Sequence, residues 1–83
     1  MTLGSPDDVR SREDLAAFVR DLRQDLRSPD QRWENGTLDS FLDALAAWIE
    51  DSHGRYRRFG EELPADGDWT FFARALDAAT VYE

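Results

Sequence analysis

The sequence predicts an all-α fold: a compact three-helix domain with a disordered or loosely packed N-terminal tail and a long loop before the last helix. Three separate segments repeat apolar residues with the spacing of one helical face. Each of these segments follows a Ser, Thr or Asp that can cap a helix. An alternating pattern typical of strands never extends beyond a few residues.

Residues 1–10 contain Gly, Pro and paired acids without a helical period, so we expect a flexible leader there and a single α-helical domain over 11–83. The first helix is predicted over 12–27, with Ser11 as its N-cap and Pro29 ending it. Its apolar face consists of Leu15, Phe18, Val19, Leu22 and Leu26.

The second helix is predicted over 38–52, capped by Thr37 and ended by Gly54 in a left-handed conformation. Its apolar side chains share an arc of roughly 120°: Leu38, Phe41, Leu42, Leu45, Trp48 and Ile49. Trp33, isolated in the polar connector, is expected to fold back as a lid on the core, with its N–H bonded to a partner.

A loop is predicted over 53–67, and a third helix over 69–81 capped by Asp66 or Asp68. This last helix has two apolar stripes on nearly opposite sides. The first stripe contains Trp69, Phe72, Ala73, Leu76 and Ala79, and the second contains Phe71, Ala75, Ala78 and Tyr82. Either the helix is central, with a neighbour on each side, or its second stripe binds a partner.

The frame W-E-N-x-T-L-x-x-F-L-x-A-L-A-A-W over 33–48 is followed by W-x-x-F-A-x-x-L-x-A-A-x-x-Y-E over 69–83. Together with their linker, the two frames cover residues 33–83. They resemble a small uncharacterised bacterial family, a domain of unknown function. The resemblance implies no activity, cofactor or catalytic residue.

Composition limits the functions that the chain can have. Eighteen acids against ten basic residues give a net charge of −8, which favours a basic protein partner and disfavours nucleic acids and anionic membranes. With no cysteine, disulfides, thiolate nucleophiles and cysteine-based metal sites are excluded. We expect a cytoplasmic protein without a membrane span, and the use of arginine for every basic residue indicates a bacterial source.

The sequence offers few residues for catalysis, and we predict no enzyme activity and no cofactor. His53 is the one histidine, and a triad would have to join it to Ser40 or Ser52 and a carboxylate. Glu50 and His53 have the spacing of one half of a di-iron motif, so a metal-dependent activity is one alternative. The basic and aromatic residues of 55–59 are flanked by acids, so we predict no nucleic-acid binding.

The second helix carries an acidic stripe, Asp39, Asp43 and Glu50, within about 40° of helical arc beside its apolar face. Glu50 and Asp51 lie near the C-terminal end of this predicted helix, where the helix dipole disfavours negative charge. Pairing with Arg55, Arg57 or Arg58 would explain them, and so would a basic partner. Our leading hypothesis is an acidic protein–protein interaction module with candidate contacts Asp39, Asp43, Glu50, Phe71 and Tyr82; the alternative is a homodimer through the second stripe of the last helix.

Overall fold

The computed structural model describes residues 4–30 and 33–82, and throughout this part of the chain the regular structure is helical. A 3₁₀ turn, Pro6–Asp8, precedes three helices: α1 (Arg12–Arg27), α2 (Leu38–Arg58) and α3 (Trp69–Ala79). The predicted all-α, three-helix fold is confirmed. Among the described helices, none combines the length and the apolar character that crossing a membrane requires.

Helix α1 has the predicted bounds. Ser11 Oγ accepts a hydrogen bond from the N–H of Asp14 at 3.0 Å, and the Asp14 carboxylate accepts one from the N–H of Arg10 at 3.2 Å. These bonds satisfy donors that lack partners at a helix start. Ser28 is extended because Pro29 disfavours helical backbone in the residue before it, and α1 ends there.

Helix α2 continues to Arg58, so the prediction that Gly54 ends it near residue 52 is wrong. Gly60, two residues beyond Arg58, terminates the helix instead, because its φ of 66° lies in the left-handed region. The N–H of Gly60 donates to the carbonyl of Arg57 at 3.2 Å, and the N–H of Glu61 donates to the carbonyl of Tyr56 at 2.9 Å. These two bonds form a Schellman motif.

Tertiary packing explains why α2 passes through Gly54. A glycine inside a helix costs about 1 kcal/mol relative to alanine. The last turns of α2 bury Tyr56, which is 4% exposed and packs against Phe71 with 6.1 Å between ring centroids. Burial of a large side chain contributes on the order of 2 kcal/mol, which outweighs the glycine.

Helix α3 begins after Asp68, whose carboxylate accepts a hydrogen bond from the N–H of Phe71 at 2.7 Å. It ends at Ala79, close to the predicted residue 81, and helix ends commonly fray by that much. The long loop before the last helix is confirmed, but it covers 59–68 and not 53–67, because α2 takes its first residues.

Helix α3 is central. It contacts α1, α2 and the 3₁₀ turn, whereas α1 and α2 hardly contact each other within the described residues. Three buried residues of α3 are alanines, and their small side chains let the neighbouring helices pack close to it: Ala73, Ala75 and Ala79. One core cluster lies on the α1 side, with Val9, Phe18, Leu22 and Ala73, and the other on the α2 side, with Trp48, Tyr56, Phe71 and Ala75. The central position predicted as one of two options is therefore confirmed.

Two contacts, one near each end of α2, set the direction of this helix. The side-chain N–H of Asn35 donates to the carbonyl of Ala79 at 3.0 Å, which places the start of α2 beside the end of α3. Tyr56, near the end of α2, packs on Phe71 near the start of α3. Helices α2 and α3 are therefore antiparallel.

The segment before α1 packs on the start of α3. Val9 is buried in the core, its carbonyl accepts a hydrogen bond from the Thr70 hydroxyl, and Asp7 pairs with Arg74 at 2.7 Å. Residues 1–3 of the predicted leader lie outside the described residues. These contacts place the start of α1 beside the start of α3, and Leu26 near the end of α1 shares a groove with Leu76 in the second half of α3, so α1 is parallel to α3 and antiparallel to α2.

Trp33 behaves as predicted. Its indole N–H donates to the Asp25 carboxylate at 2.7 Å, and its ring stacks on Phe41 with centroids 5.7 Å apart. The half-buried ring covers the α1 core cluster from the connector, so the expected lid is confirmed.

Candidate functional site

Much of the apolar face predicted for α1 and α2 remains exposed to solvent. Val19 and Leu26 of α1 are exposed, and so are Leu38 and Leu42 of α2, with Leu38 at 74%. The sequence places all four on the apolar faces of their helices. Each helix packs mainly on α3, and one neighbouring helix does not cover an arc of 120°.

A groove of about 300 Å³ lies between the second half of α1 and the first turn of α2. Leu76 of α3 lines it together with apolar side chains of the other two helices and of the connector: Val19, Leu22, Leu26, Trp33, Leu38 and Phe41. Arg23 lines the α1 side. The groove is apolar and open to solvent, a combination typical of contact sites.

Helical spacing extends the apolar surface beyond the groove along α2 and α3. Phe72 and Trp69 lie four and seven residues before Leu76, on the same face of α3, and both are exposed. Ile49 lies eleven residues after Leu38 on the same face of α2 and is exposed too. We call the combined surface the open face, defined by Val19, Leu26, Leu38, Leu42, Ile49, Trp69 and Phe72.

The structure does not leave Phe71 and Tyr82, the two candidate partner contacts on the last helix, free for a partner as predicted. Phe71 is 9% exposed and packs against Trp48 and Tyr56, so the second stripe faces α2 while the first stripe supplies the open face. The Tyr82 hydroxyl donates to the Asp51 carboxylate. That hydrogen bond, with smaller effects of desolvation and of the Asp51 charge, raises the pKa of Tyr82.

The acidic stripe borders the open face. Asp39, Asp43 and Glu50 are exposed, and Asp39 directly follows Leu38 at the groove. None of the ion pairs in the described part of the chain involves these three carboxylates. The stripe therefore combines exposed charge with an adjacent apolar surface.

Two arginines and two acids form a closed ring on the other side of α3. Arg55 pairs with Glu61 at 3.1 Å and with Asp7 at 3.9 Å, and Arg74 pairs with the same two acids at 3.3 and 2.7 Å. Burial works against the charge of Arg74, but hydrogen bonds to Asp7 and Tyr56 outweigh it and raise the pKa of Arg74.

This ring uses Arg55, one of the arginines considered as partners for Glu50 and Asp51. Within the described residues, no ion pair joins Glu50 or Asp51 to a nearby arginine, so pairing does not explain these two acids. Arg55 pairs with Asp7 in the 3₁₀ turn, which packs on α3, and with Glu61 in the loop before α3. Since Tyr56 is buried, the exposed side chains of the basic segment 55–59 are mainly those of Arg57, Arg58 and Phe59.

The residues considered for catalysis are bonded to their own helix. Ser52 Oγ donates to the carbonyl of Ile49 at 2.7 Å, and His53 Nδ1 lies 3.2 Å from the carbonyl oxygen of Glu50. In residues 4–30 and 33–82, His, Asp and Glu side chains form no group of three or more suited to a metal ion.

A family model described as "Family of unknown function (DUF7660)" matches residues 11–83. No curated protein and no solved structure matches the chain.

Proposed function

The chain belongs to the DUF7660 family of unknown function, and we propose that it is a non-enzymatic protein-binding module that docks a basic amphipathic helix on its open face. One observation carries the proposal: apolar side chains of all three helices line a groove of about 300 Å³, and Val19, Leu26 and Leu38 among them are exposed. An open apolar groove is typical of contact sites.

The shape of the open face suits a helix. Helices α1 and α2 form its two sides and α3 its floor, so an added helix would lie where a fourth helix lies in a bundle. From Leu38 to Ile49 the face is about 16 Å long, roughly three helical turns. A docked helix would place apolar residues at i, i+3, i+4 and i+7 into the groove.

Charge supports a basic occupant. The acidic stripe of Asp39, Asp43 and Glu50 runs beside the face, and the chain carries a net charge of −8. Arginine or lysine on one flank of the docked helix would pair with this stripe, adding specificity and a faster association rate. Composition supports a bacterial, cytoplasmic setting for this interaction.

A peptide selection tests the proposal. Displayed peptides of about 16 residues, roughly four helical turns, are selected on the wild-type chain and then on Leu38→Glu. We expect enriched peptides with helically spaced apolar residues and a surplus of Arg and Lys, and we expect Leu38→Glu to lose them.

Leu63→Glu is the matched control, because Leu63 is also exposed but lies in the loop before α3. It should retain the enriched peptides, and Asp39→Lys with Asp43→Lys should weaken the basic ones. A selection without enrichment, or peptides that bind Leu38→Glu as well as the wild type, would reject the proposal.

A further inference from the structure

We propose that, when no partner is bound, the open face pairs with the open face of a second copy in a two-fold symmetric dimer. Of the ten large hydrophobic side chains exposed in the described residues, seven belong to this face. The proposal goes beyond the proposed function and does not depend on it, since a second copy needs no basic partner.

The two edges of the open face carry opposite charges. Arg23 lines the α1 side of the groove, and Arg12, eleven residues earlier, lies on the same side of α1 because eleven residues make about three turns. Asp39 and Glu50 are likewise eleven residues apart on α2. All four are exposed, and the Arg12 pair with Glu13 at 3.1 Å is so exposed that it contributes little.

The charges on the two edges also follow the same order along the face. Helices α1 and α2 are antiparallel, and Arg23 lines the same groove as Leu38, the residue before Asp39, so Arg23 and Asp39 lie at the groove end of the face. Arg12 and Glu50 lie eleven residues toward the other end of each helix, about 16 Å away. The basic and acidic edges therefore match in spacing.

This pattern is complementary to itself. A two-fold axis parallel to the helices places α1 of one copy over α2 of the other, so that Arg23 meets Asp39 of the second copy and Arg12 meets Glu50. An axis perpendicular to the helices, in the plane of the face, would place like charges together. Electrostatics therefore selects the parallel axis.

Sedimentation equilibrium at low ionic strength tests the dimer. We expect the wild-type chain to be a dimer, and we expect Arg23→Asp and Asp39→Arg each to raise the dimer Kd about tenfold or more, because each replaces two attractive contacts by two repulsive ones. A 1:1 mixture of the two variants should restore the dimer, since both contacts become attractive in the heterodimer.

Arg58→Asp is the matched control: it changes charge on the opposite side of α2 and should leave the dimer unchanged. A wild-type chain that stays monomeric at millimolar concentration would overturn the dimer, and so would single variants that assemble like the wild type or a mixture that stays monomeric. The peptide selection measures binding to the open face and does not require the dimer to exist, so the two proposals can fail separately.

Discussion

Phe71 and Phe72 are neighbours in the sequence but differ in environment. Phe71 is 9% exposed and its ring centroid lies 5.7 Å from that of Trp48, whereas Phe72 is 47% exposed on the open face. We predict that Phe71→Ala lowers the free energy of unfolding by about 3–5 kcal/mol, and Phe72→Ala by less than about 1.5 kcal/mol. Urea denaturation measures both changes, and equal losses would contradict the assignment of Phe72 to the open face.

The same pair shows what the sequence could not decide. Both stripes of α3 are visible as apolar periodicity, yet the pattern does not tell which stripe a neighbouring helix covers. That choice depends on where α2 ends, because Tyr56 in its last turns packs on Phe71. Trp33, in contrast, could be predicted as a lid, because a large apolar ring in a short polar connector has few other places to pack.

Asp77 gives a prediction about pH. Burial first, and then the charges of Asp25 and Asp7, raise the pKa of Asp77. The unfolded chain therefore loses this proton at a lower pH than the folded chain does, and stability falls as the pH rises through that interval. We expect Asp77→Asn to raise the free energy of unfolding at pH 7 by no more than about 1 kcal/mol, allowing for solvent screening.

The gain from Asp77→Asn should disappear once the pH falls below the ordinary value of an aspartate, where both states are protonated. Denaturant curves at several pH values measure it. Asp43→Asn on the exposed face of α2 is the control, with an expected change within about 0.5 kcal/mol. A loss of stability for Asp77→Asn at pH 7 would show that the charged carboxylate is stabilising.

At the scale of elements, the two glycines near the end of α2 have opposite roles. A Cβ at Gly54 would meet nothing within 4 Å, whereas Gly60 has a φ of 66°. We predict that Gly54→Ala raises the free energy of unfolding by about 0.5–1 kcal/mol, because alanine favours the helix. Gly60→Ala should lower it by about 1–2 kcal/mol, because an L side chain is strained there.

Thermal or urea denaturation of the two variants measures these changes. A destabilising Gly54→Ala would support the helix end that the sequence predicted.

The segment HGRYRRFG offers two glycines as helix ends, and local rules favour the first. The burial of Tyr56 against α3, a contact distant in sequence, selects the second. The bounds of α1 needed no such contact, since Ser11 and Pro29 set them locally.

On the scale of the whole molecule, α3 has helices on two sides, the 3₁₀ turn and the ion-pair ring on a third, and the open face on the fourth. The sequence predicted three helices and the acidic stripe with its residues. It did not predict the open face, because Val19 and Leu38 have the spacing of core residues. Whether such residues become buried depends on how closely α1 and α2 approach each other.

The two proposals for the open face are connected by mass action. A basic helix and a second copy would cover the same apolar side chains, so the dimer would have to open before a partner binds. The apparent affinity for a basic peptide should therefore fall as the chain is concentrated, but not for a monomeric Arg23→Asp variant.

Hydroxyl-radical footprinting asks whether the open face is uncovered in the monomeric chain and is the surface that docks a protein. The chain, diluted until sedimentation shows a monomer, is labelled alone and with a peptide enriched in the selection. We predict that Leu38 and Phe72 react much faster than Phe71 in the free chain and become protected when the peptide binds, while exposed Phe59 stays unchanged. Slow labelling of Leu38 and Phe72 in the monomeric chain, or protection confined to residues outside the open face, would rule out this surface as the docking site.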